Sequence, residues 1–158
     1  MQRRVTKEAV IAAPRAEVWR AWTTSEGARE FFAPDARIEL RLGGPYEILF
    51  VSDAPAGQKG SEGCRVLAFL EGELLSFDWN APPHLAFART GPKTFVVVRL
   101  DDAPGGKTRV RIDHAGWPDA SEWNEVFDYF DRAWTAVVSW LTERFEKGPI
   151  DWSRRDLR

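Results

Sequence analysis

The strongest constraint on the fold is a long apolar stripe near the C-terminus. Its members recur at spacings that alternate between three and four residues: Trp123, Phe127, Phe130, Trp134, Val137, Leu141 and Phe145. A second flank of Tyr129, Ala133, Ala136 and Trp140 widens this stripe. The pattern predicts a helix that Asp119 or Ser121 caps and that ends at about Lys147, before Gly148. About 28 residues at 1.5 Å each give roughly 42 Å, enough to cross the whole width of a sheet.

The residues before this helix change from helical to strand periodicity. Residues 3–11 predict a first strand, Pro14 opens a helix over about 14–23, and Ser25 caps a second short helix that reaches Phe32. Six further strands are predicted at about 37–42, 46–50, 62–70, up to Trp79, 95–101 and 108–115, with an irregular connection over 80–92. Strands in succession with helices on one side indicate an α+β fold. We expect a curved antiparallel sheet of about seven strands, wrapped around the long C-terminal helix.

Composition and charge exclude several classes of function. The formal net charge of −2 and the pI of about 5.8 do not fit a nucleic-acid-binding domain. No run of about 18 apolar residues is present, so membrane insertion is not expected. The single cysteine, Cys64, reads as a buried apolar filler, and neither a metal site nor a cofactor is predicted. No secretion signal follows the first arginines, so a cytoplasmic location is expected.

Aromatic residues are unusually abundant, with 8 Trp and 10 Phe. The candidate ligand-binding residues are Trp22, Phe31, Phe32, Phe50, Phe77, Trp79, Phe127, Phe130 and Trp134, together with His114. Two interpretations stay open: these rings pack against one another as a core, or some of them line a cavity. His114, Asn80 and Arg99 are the polar groups available to such a cavity.

His114 is also the one candidate for chemistry. Its place in the alternation with Val110 and Ile112 puts it on the apolar face, where it either orients a ligand and moves a proton or is a structural histidine. Asp78 and Asp113 are the nearest thing to a carboxylate pair, but the alternation predicts that both face solvent.

Several short motifs, taken in order, resemble one known superfamily. They are Ala13-Pro14, Val18-Trp19-Arg20-Ala21-Trp22-Thr23, Gly43-Gly44-Pro45-Tyr46, Phe77-Asp78-Trp79, and Lys107-Thr108-Arg109-Val110 through His114-Ala115-Gly116-Trp117. Over residues 3–147 the chain resembles the SRPBCC (START-like) superfamily with its helix-grip fold. Within it, the chain looks most like homologues of the activator of the heat-shock-protein-90 ATPase. The resemblance implies a single domain over residues 1–148 and a C-terminal tail over 149–158.

The resemblance leaves three functions open, because this scaffold hosts many activities. The leading hypothesis is binding of a small hydrophobic or aromatic molecule, such as a lipid, between the sheet and the C-terminal helix. The alternatives are a cyclase- or hydrolase-like enzyme that uses His114, and a co-chaperone or stress-response protein that acts through its surface. The chaperone activators carry a further N-terminal domain, so chaperone engagement is not favoured here. A homodimer is a further hypothesis, with Trp152 as a candidate contact.

Overall fold

Residues 2–157 are described by a computed structural model, and they form seven strands and four α-helices. The first half of this part of the chain contains β1 (Val5–Ile11), α1 (Arg15–Thr23), α2 (Ser25–Arg29), β2 (Asp35–Ile38), β3 (Tyr46–Leu49), β4 (Val66–Leu70) and β5 (Leu74–Trp79). The second half contains α3 (Ala86–Arg89), β6 (Thr94–Ala103), β7 (Lys107–Ala115) and α4 (Trp123–Lys147), followed by a 3-10 turn at Trp152–Arg154.

The strands form one large antiparallel sheet and one small one. The large sheet has the order β1-β7-β6-β5-β4, and β2 pairs with β3 in the small sheet. Backbone hydrogen bonds join the two sheets, because the Tyr46 amide donates to the Cys64 carbonyl and the Val66 amide donates to the Gly44 carbonyl, both at 2.8 Å. The predicted α+β fold is thereby confirmed.

The C-terminal helix follows the predicted stripe but begins later. Neither Asp119 nor Ser121 caps it; Glu122 occupies the N-cap position without a side-chain bond, and the helix has 25 residues, roughly 38 Å. Its fully buried face consists of Trp123, Val126, Phe130, Trp134, Val137 and Leu141. Helix α4 packs against β1 along this face. Gly148 ends the helix with a φ of 98°, a conformation that favours glycine.

The two predicted strands on either side of Gly43-Gly44 pair as an antiparallel hairpin, but the first of them is shorter than predicted. Strand β2 ends at Ile38, and residues 39–45 form a long connection that leaves Leu42 70% exposed. Within this connection the Gly44 amide donates to the Arg41 carbonyl at 2.9 Å and closes a tight turn. The Gly43 amide donates to the Val66 carbonyl at 2.8 Å, which joins this turn to the edge of the large sheet. The predicted strand over 37–42 is therefore too long at its C-terminal end: Ile38 pairs with Tyr46 and the Glu39 amide still donates to the Pro45 carbonyl, but the chain turns at residues 41–44.

The second helix is also shorter than predicted. Thr24 caps α2 in place of Ser25, since its Oγ1 accepts a hydrogen bond from the Gly27 amide at 2.9 Å. The helix ends at Arg29, so Phe31 and Phe32 lie in the following turn. This turn points both rings into the interior, where neither has solvent-accessible surface.

The segment after α4 returns to the body of the protein. The Ile150 amide donates to the Glu30 carbonyl, and Trp152 Nε1 donates to the Arg29 carbonyl at 2.6 Å. The Trp152 ring meets Trp140 edge-on, with 5.4 Å between centroids. The Trp152 ring is thus partly buried against its own chain. No helix within residues 2–157 is long and apolar enough to cross a membrane.

Candidate functional site

A cleft of about 700 Å³ lies between α4 and two loops. One wall is the flank of α4 formed by Tyr129, Ala133, Ala136 and Trp140. The facing wall comes from residues 50–51 and 58–61, and residues 79–84 close one end. Residues 156–157 lie at its edge. The cleft therefore lies along the second flank of the helical stripe, next to the fully buried face.

The floor of the cleft is a filled cluster of aromatic rings centred on Phe32. Five ring centroids lie within 6.0 Å of the Phe32 centroid: Trp22, Phe31, Phe50, Trp79 and Trp134. Phe32 itself has no solvent-accessible surface. The interior between the sheet and α4 is thus packed, and the open space lies over this cluster.

The predicted ligand-binding residues divide into three groups. Phe32, Phe50, Trp79, Phe130 and Trp134 line the cleft. Trp22, Phe31, Phe77 and His114 lie behind them in the core. Phe127 lies apart, half-buried between the Trp117 ring at 5.5 Å and the Arg3 guanidinium at 4.6 Å. Of the three predicted polar groups, Asn80 lines the cleft, whereas Arg99 is exposed on β6.

His114 is completely buried, and both of its ring nitrogens are engaged. Trp134 Nε1 donates to Nδ1 at 2.9 Å, and Nε2 lies 2.6 Å from Thr94 Oγ1. An indole N–H can only donate, so Nδ1 is the acceptor and Nε2 carries the proton. Burial lowers the pKa of His114 to about 3. The ring is therefore a neutral structural element that fixes β7 to α4, which is the structural alternative considered for this residue.

Asp113 corrects a second expectation, because it is buried and does not face solvent. Arg111 Nε donates to it at 2.8 Å and Thr6 Oγ1 donates at 2.6 Å. Burial alone would raise the pKa of Asp113, but these hydrogen bonds outweigh burial and lower it. Asp78 is half-buried and accepts from the Arg65 amide at 2.6 Å. Each carboxylate thus has a structural partner.

One wall of the cleft is held by the guanidinium of Arg89. It donates to the carbonyls of Ala81 at 2.6 Å, Gly57 at 2.6 Å and Gly60 at 2.9 Å. Its terminal nitrogen also lies 3.4 Å from the Glu62 carboxylate. These bonds tie the loop at 57–60 to the loop at 79–84, so Arg89 fixes the shape of two walls at once.

The remaining chemical candidates have structural roles in the described residues. Cys64 is buried, and burial raises the pKa of its thiol to about 12, which keeps it protonated and unreactive. Within residues 2–157, no three His, Cys, Asp or Glu side chains are grouped to hold a metal ion.

Comparison with known proteins assigns the family. Residues 12–146 match the family described as Activator of Hsp90 ATPase homolog 1-like protein. The chain belongs to this family. The matched range contains the motifs from Ala13-Pro14 to Trp117 that carry the resemblance in the sequence. The chain matches no protein of curated function.

Solved structures share the fold of this Activator of Hsp90 ATPase homolog 1-like chain. Protein MLL2253 from Mesorhizobium loti is 22% identical, with a TM-score of 0.72 over 94% of this chain and 100% of that one. CalU16 from Micromonospora echinospora is 19% identical, with a TM-score of 0.69 over 95% and 78% of the two chains. The Aha1 dimer from Colwellia psychrerythraea is 15% identical, with a TM-score of 0.69 over 92% and 98%. At these identities the likeness shows the fold alone.

Sequence reasoning missed most of the loop residues that shape the cleft in this family member. Arg89 and Lys59 carry no local signal, because each lies in a segment that predicts only irregular structure. The flank of Tyr129, Ala133, Ala136 and Trp140 did have a signal, as the second edge of the apolar stripe. A helix edge next to a buried face marks the boundary where a sheet stops covering the helix.

Proposed function

We propose that this family member binds a small hydrophobic or aromatic molecule in the cleft beside α4. The observation that carries the proposal is the cleft itself, about 700 Å³ over a floor of aromatic rings. Pockets for small ligands usually measure about 300–1,000 Å³ and have mostly apolar walls with a few polar groups. Phe50, Trp79 and Trp140 supply flat apolar surface here, and Asn80 supplies a polar group.

The state of His114, the residue that the enzyme hypothesis names, favours binding over catalysis. His114 lies beneath the floor with both ring nitrogens engaged. Arg89 is bound to backbone carbonyls, and Asn80 Nδ2 donates to the Gly60 carbonyl at 3.3 Å. A general acid or base needs a titratable proton within reach of the substrate. The histidine that the enzyme hypothesis needs does not offer one.

Filling the cleft from the helix side is expected to abolish binding. Ala136 lies on the flank of α4 that lines the cleft, so Ala136→Phe places a ring in the open space. We expect the variant to bind the neutral fluorescent probe N-phenyl-1-naphthylamine at least about tenfold more weakly than the wild type, since volume is lost where the probe packs. Probe fluorescence in a titration measures the affinity.

The matched control adds the same ring to another face of the same helix. Ser139 is exposed, and Ser139→Phe is expected to leave probe affinity unchanged. If neither the wild type nor the control binds the probe, the cleft is not a hydrophobic binding site. Equal weakening in both variants would place the probe outside the cleft.

The family name suggests chaperone ATPase activation as a second candidate function. The observation in its favour is a set of exposed leucines at the β4 edge of the sheet: Leu42 at 70%, Leu70 at 59% and Leu67 at 47%. Exposed apolar side chains on one edge are typical of protein interfaces. If the chain acts this way, adding it to an Hsp90-type ATPase raises the hydrolysis rate, and Leu67→Asp with Leu70→Asp removes most of the increase. An ATPase rate that does not respond to the wild-type chain would exclude this candidate.

The remaining expectations stay proposals. A lipid as the ligand, a stress-response role and a cytoplasmic location are still predictions from the sequence. A homodimer gains support from the Aha1 dimer of Colwellia psychrerythraea, which shares the fold. Trp152 is less suited to that contact than expected, because it packs on Trp140 and donates to Arg29 within its own chain.

A further inference from the structure

Two cationic side chains that line the cleft have no ion-pair partner in the described part of the chain. Lys59 comes from the loop wall and Arg132 from α4. Most other cations of the chain are paired; for example, Arg144 lies 2.7 Å from Glu30. Within residues 2–157, neither Lys59 nor Arg132 forms an ion pair with a carboxylate.

The acidic side chains close to the cleft, Glu62 and Asp156, form other interactions and do not pair with these cations in the described part of the chain. Glu62 accepts hydrogen bonds from the amides of Lys59 at 2.7 Å and Gly60 at 2.9 Å, and from the Gly57 amide. Its remaining contact is with Arg89. Asp156 is the acidic residue among those that line the cleft, and it has an interaction of its own. Among the described residues, the lining therefore contains three cationic side chains, Lys59, Arg89 and Arg132, and one acidic side chain, Asp156.

The positions of the two cations in the cleft indicate what kind of ligand they bind. Lys59 is half-buried beside the cleft, and Arg132 lies next to Ala133 and one turn beyond Tyr129, both of which line it. A neutral apolar ligand would cover part of these side chains and gain nothing from their charge. A ligand with an anionic end would gain from contact of that end with these cations while its apolar body lies on the aromatic floor.

We propose that the ligand of this cleft is an amphipathic organic anion: an apolar or aromatic body with a carboxylate or sulfonate end that Lys59 and Arg132 bind. The proposal rests on the function proposed above and names the chemical class of its ligand. Arg89 shapes the wall in this arrangement, because its guanidinium is already bound to Ala81, Gly57 and Gly60.

Two probes that differ mainly by one anionic group test this inference. They are N-phenyl-1-naphthylamine, which is neutral, and 8-anilino-1-naphthalenesulfonate, which adds a sulfonate to the same ring systems. We expect the wild type to bind the sulfonate more tightly than the neutral probe. Lys59→Gln and Arg132→Gln should each weaken sulfonate binding about threefold, and about tenfold together, because the pair is partly exposed to solvent. Affinity for the neutral probe should not change.

A matched control removes an equivalent charge far from the cleft. Arg99 is exposed on β6 and does not line the cleft, so Arg99→Gln should leave both affinities unchanged. Higher ionic strength should weaken the sulfonate probe and not the neutral one. Thermal melts of the two single cleft variants, their double variant and Arg99→Gln confirm that each is folded.

The outcomes separate this inference from the proposed function. If neither probe binds, the proposed function fails. If the neutral probe binds but the sulfonate binds no more tightly, or the two cleft variants leave the sulfonate affinity unchanged, the anionic end is wrong and hydrophobic binding stands. Equal weakening by Arg99→Gln would attribute the effect to the overall charge and overturn the assignment to Lys59 and Arg132.

Discussion

Replacing Phe32 with alanine is expected to lower the free energy of unfolding by about 3–5 kcal/mol, the range for deleting a buried phenylalanine ring. The Phe32 ring has no solvent-accessible surface and lies within 6.0 Å of five other aromatic rings. Rigid neighbours cannot collapse into the space left behind, so the variant keeps most of the cavity. Denaturant unfolding followed by circular dichroism measures the loss.

A second phenylalanine provides the matched control. Phe87 is 42% exposed and meets Trp123 edge-on at 5.9 Å. Phe87→Ala is expected to cost about 1–2 kcal/mol, since a ring that is 42% exposed loses only part of the transfer free energy and leaves no enclosed cavity. If Phe32→Ala lowers the free energy of unfolding no more than Phe87→Ala does, the neighbouring rings must move to fill the space that Phe32 leaves.

The overall fold was predictable because its largest elements leave periodic signals. The stripe from Trp123 to Leu141 has a helical period because one face of α4 is buried against the sheet. Strands β6 and β7 alternate because the large sheet is covered on one side. These signals depend only on which face is buried. The partner that buries it does not need to be known.

The hairpin at residues 38–50 shows the limit of such signals. Leu40 and Leu42 continue the alternation of Ile38, yet the chain leaves the strand after Ile38. The amide of Gly43 bonds to Val66, which is 23 positions away in the sequence. Long-range pairing of this kind overrides local alternation, and nothing within the segment indicates it.

The candidate site was only partly predictable for a related reason. Alternation places a ring on the inner side of the sheet but does not give its depth. Phe77 and Trp79 both face inward from β5, but Phe77 stacks on Tyr46 with centroids 4.0 Å apart in the core, whereas Trp79 lines the cleft. Arg89 shapes the cleft through carbonyls up to 32 positions away, a relation that no local pattern shows.

Because of His114, the free energy of unfolding is expected to fall as the pH is lowered, over a pH range in which carboxylates do not have this effect. Its folded pKa is lowered to about 3 by burial, whereas a histidine in the unfolded chain has a pKa of about 6.5. Below about pH 6.5 the unfolded chain binds a proton that the folded chain does not, so acid favours unfolding. The stability that His114 contributes is complete at higher pH and is lost progressively as the pH falls from about 6.5 toward 3.

The expected size follows from the same linkage. Between pH 7 and pH 5 the free energy of unfolding should fall by about 2 kcal/mol, with a slope that approaches about 1.4 kcal/mol per pH unit. Asp113 and Glu30 also have lowered pKa values, because hydrogen bonds from arginines outweigh the effect of burial. Their contributions are lost only as the pH falls below about 4–5, where unfolded carboxylates take up protons. The change in the free energy of unfolding between pH 7 and pH 5 therefore measures the effect of His114.

His114→Gln tests the assignment, because the glutamine amide can accept a hydrogen bond from Trp134 Nε1 and donate one to Thr94 Oγ1 without titrating. The variant should be less stable than the wild type at pH 7 and nearly independent of pH between 7 and 5. If His114→Gln does not fold, ¹⁵N spectra of the wild type decide: a proton should stay on Nε2, with Nδ1 unprotonated, down to at least about pH 5. A His114 ring that titrates near its ordinary pKa of about 6.5 would be incompatible with the buried, neutral ring between β7 and α4.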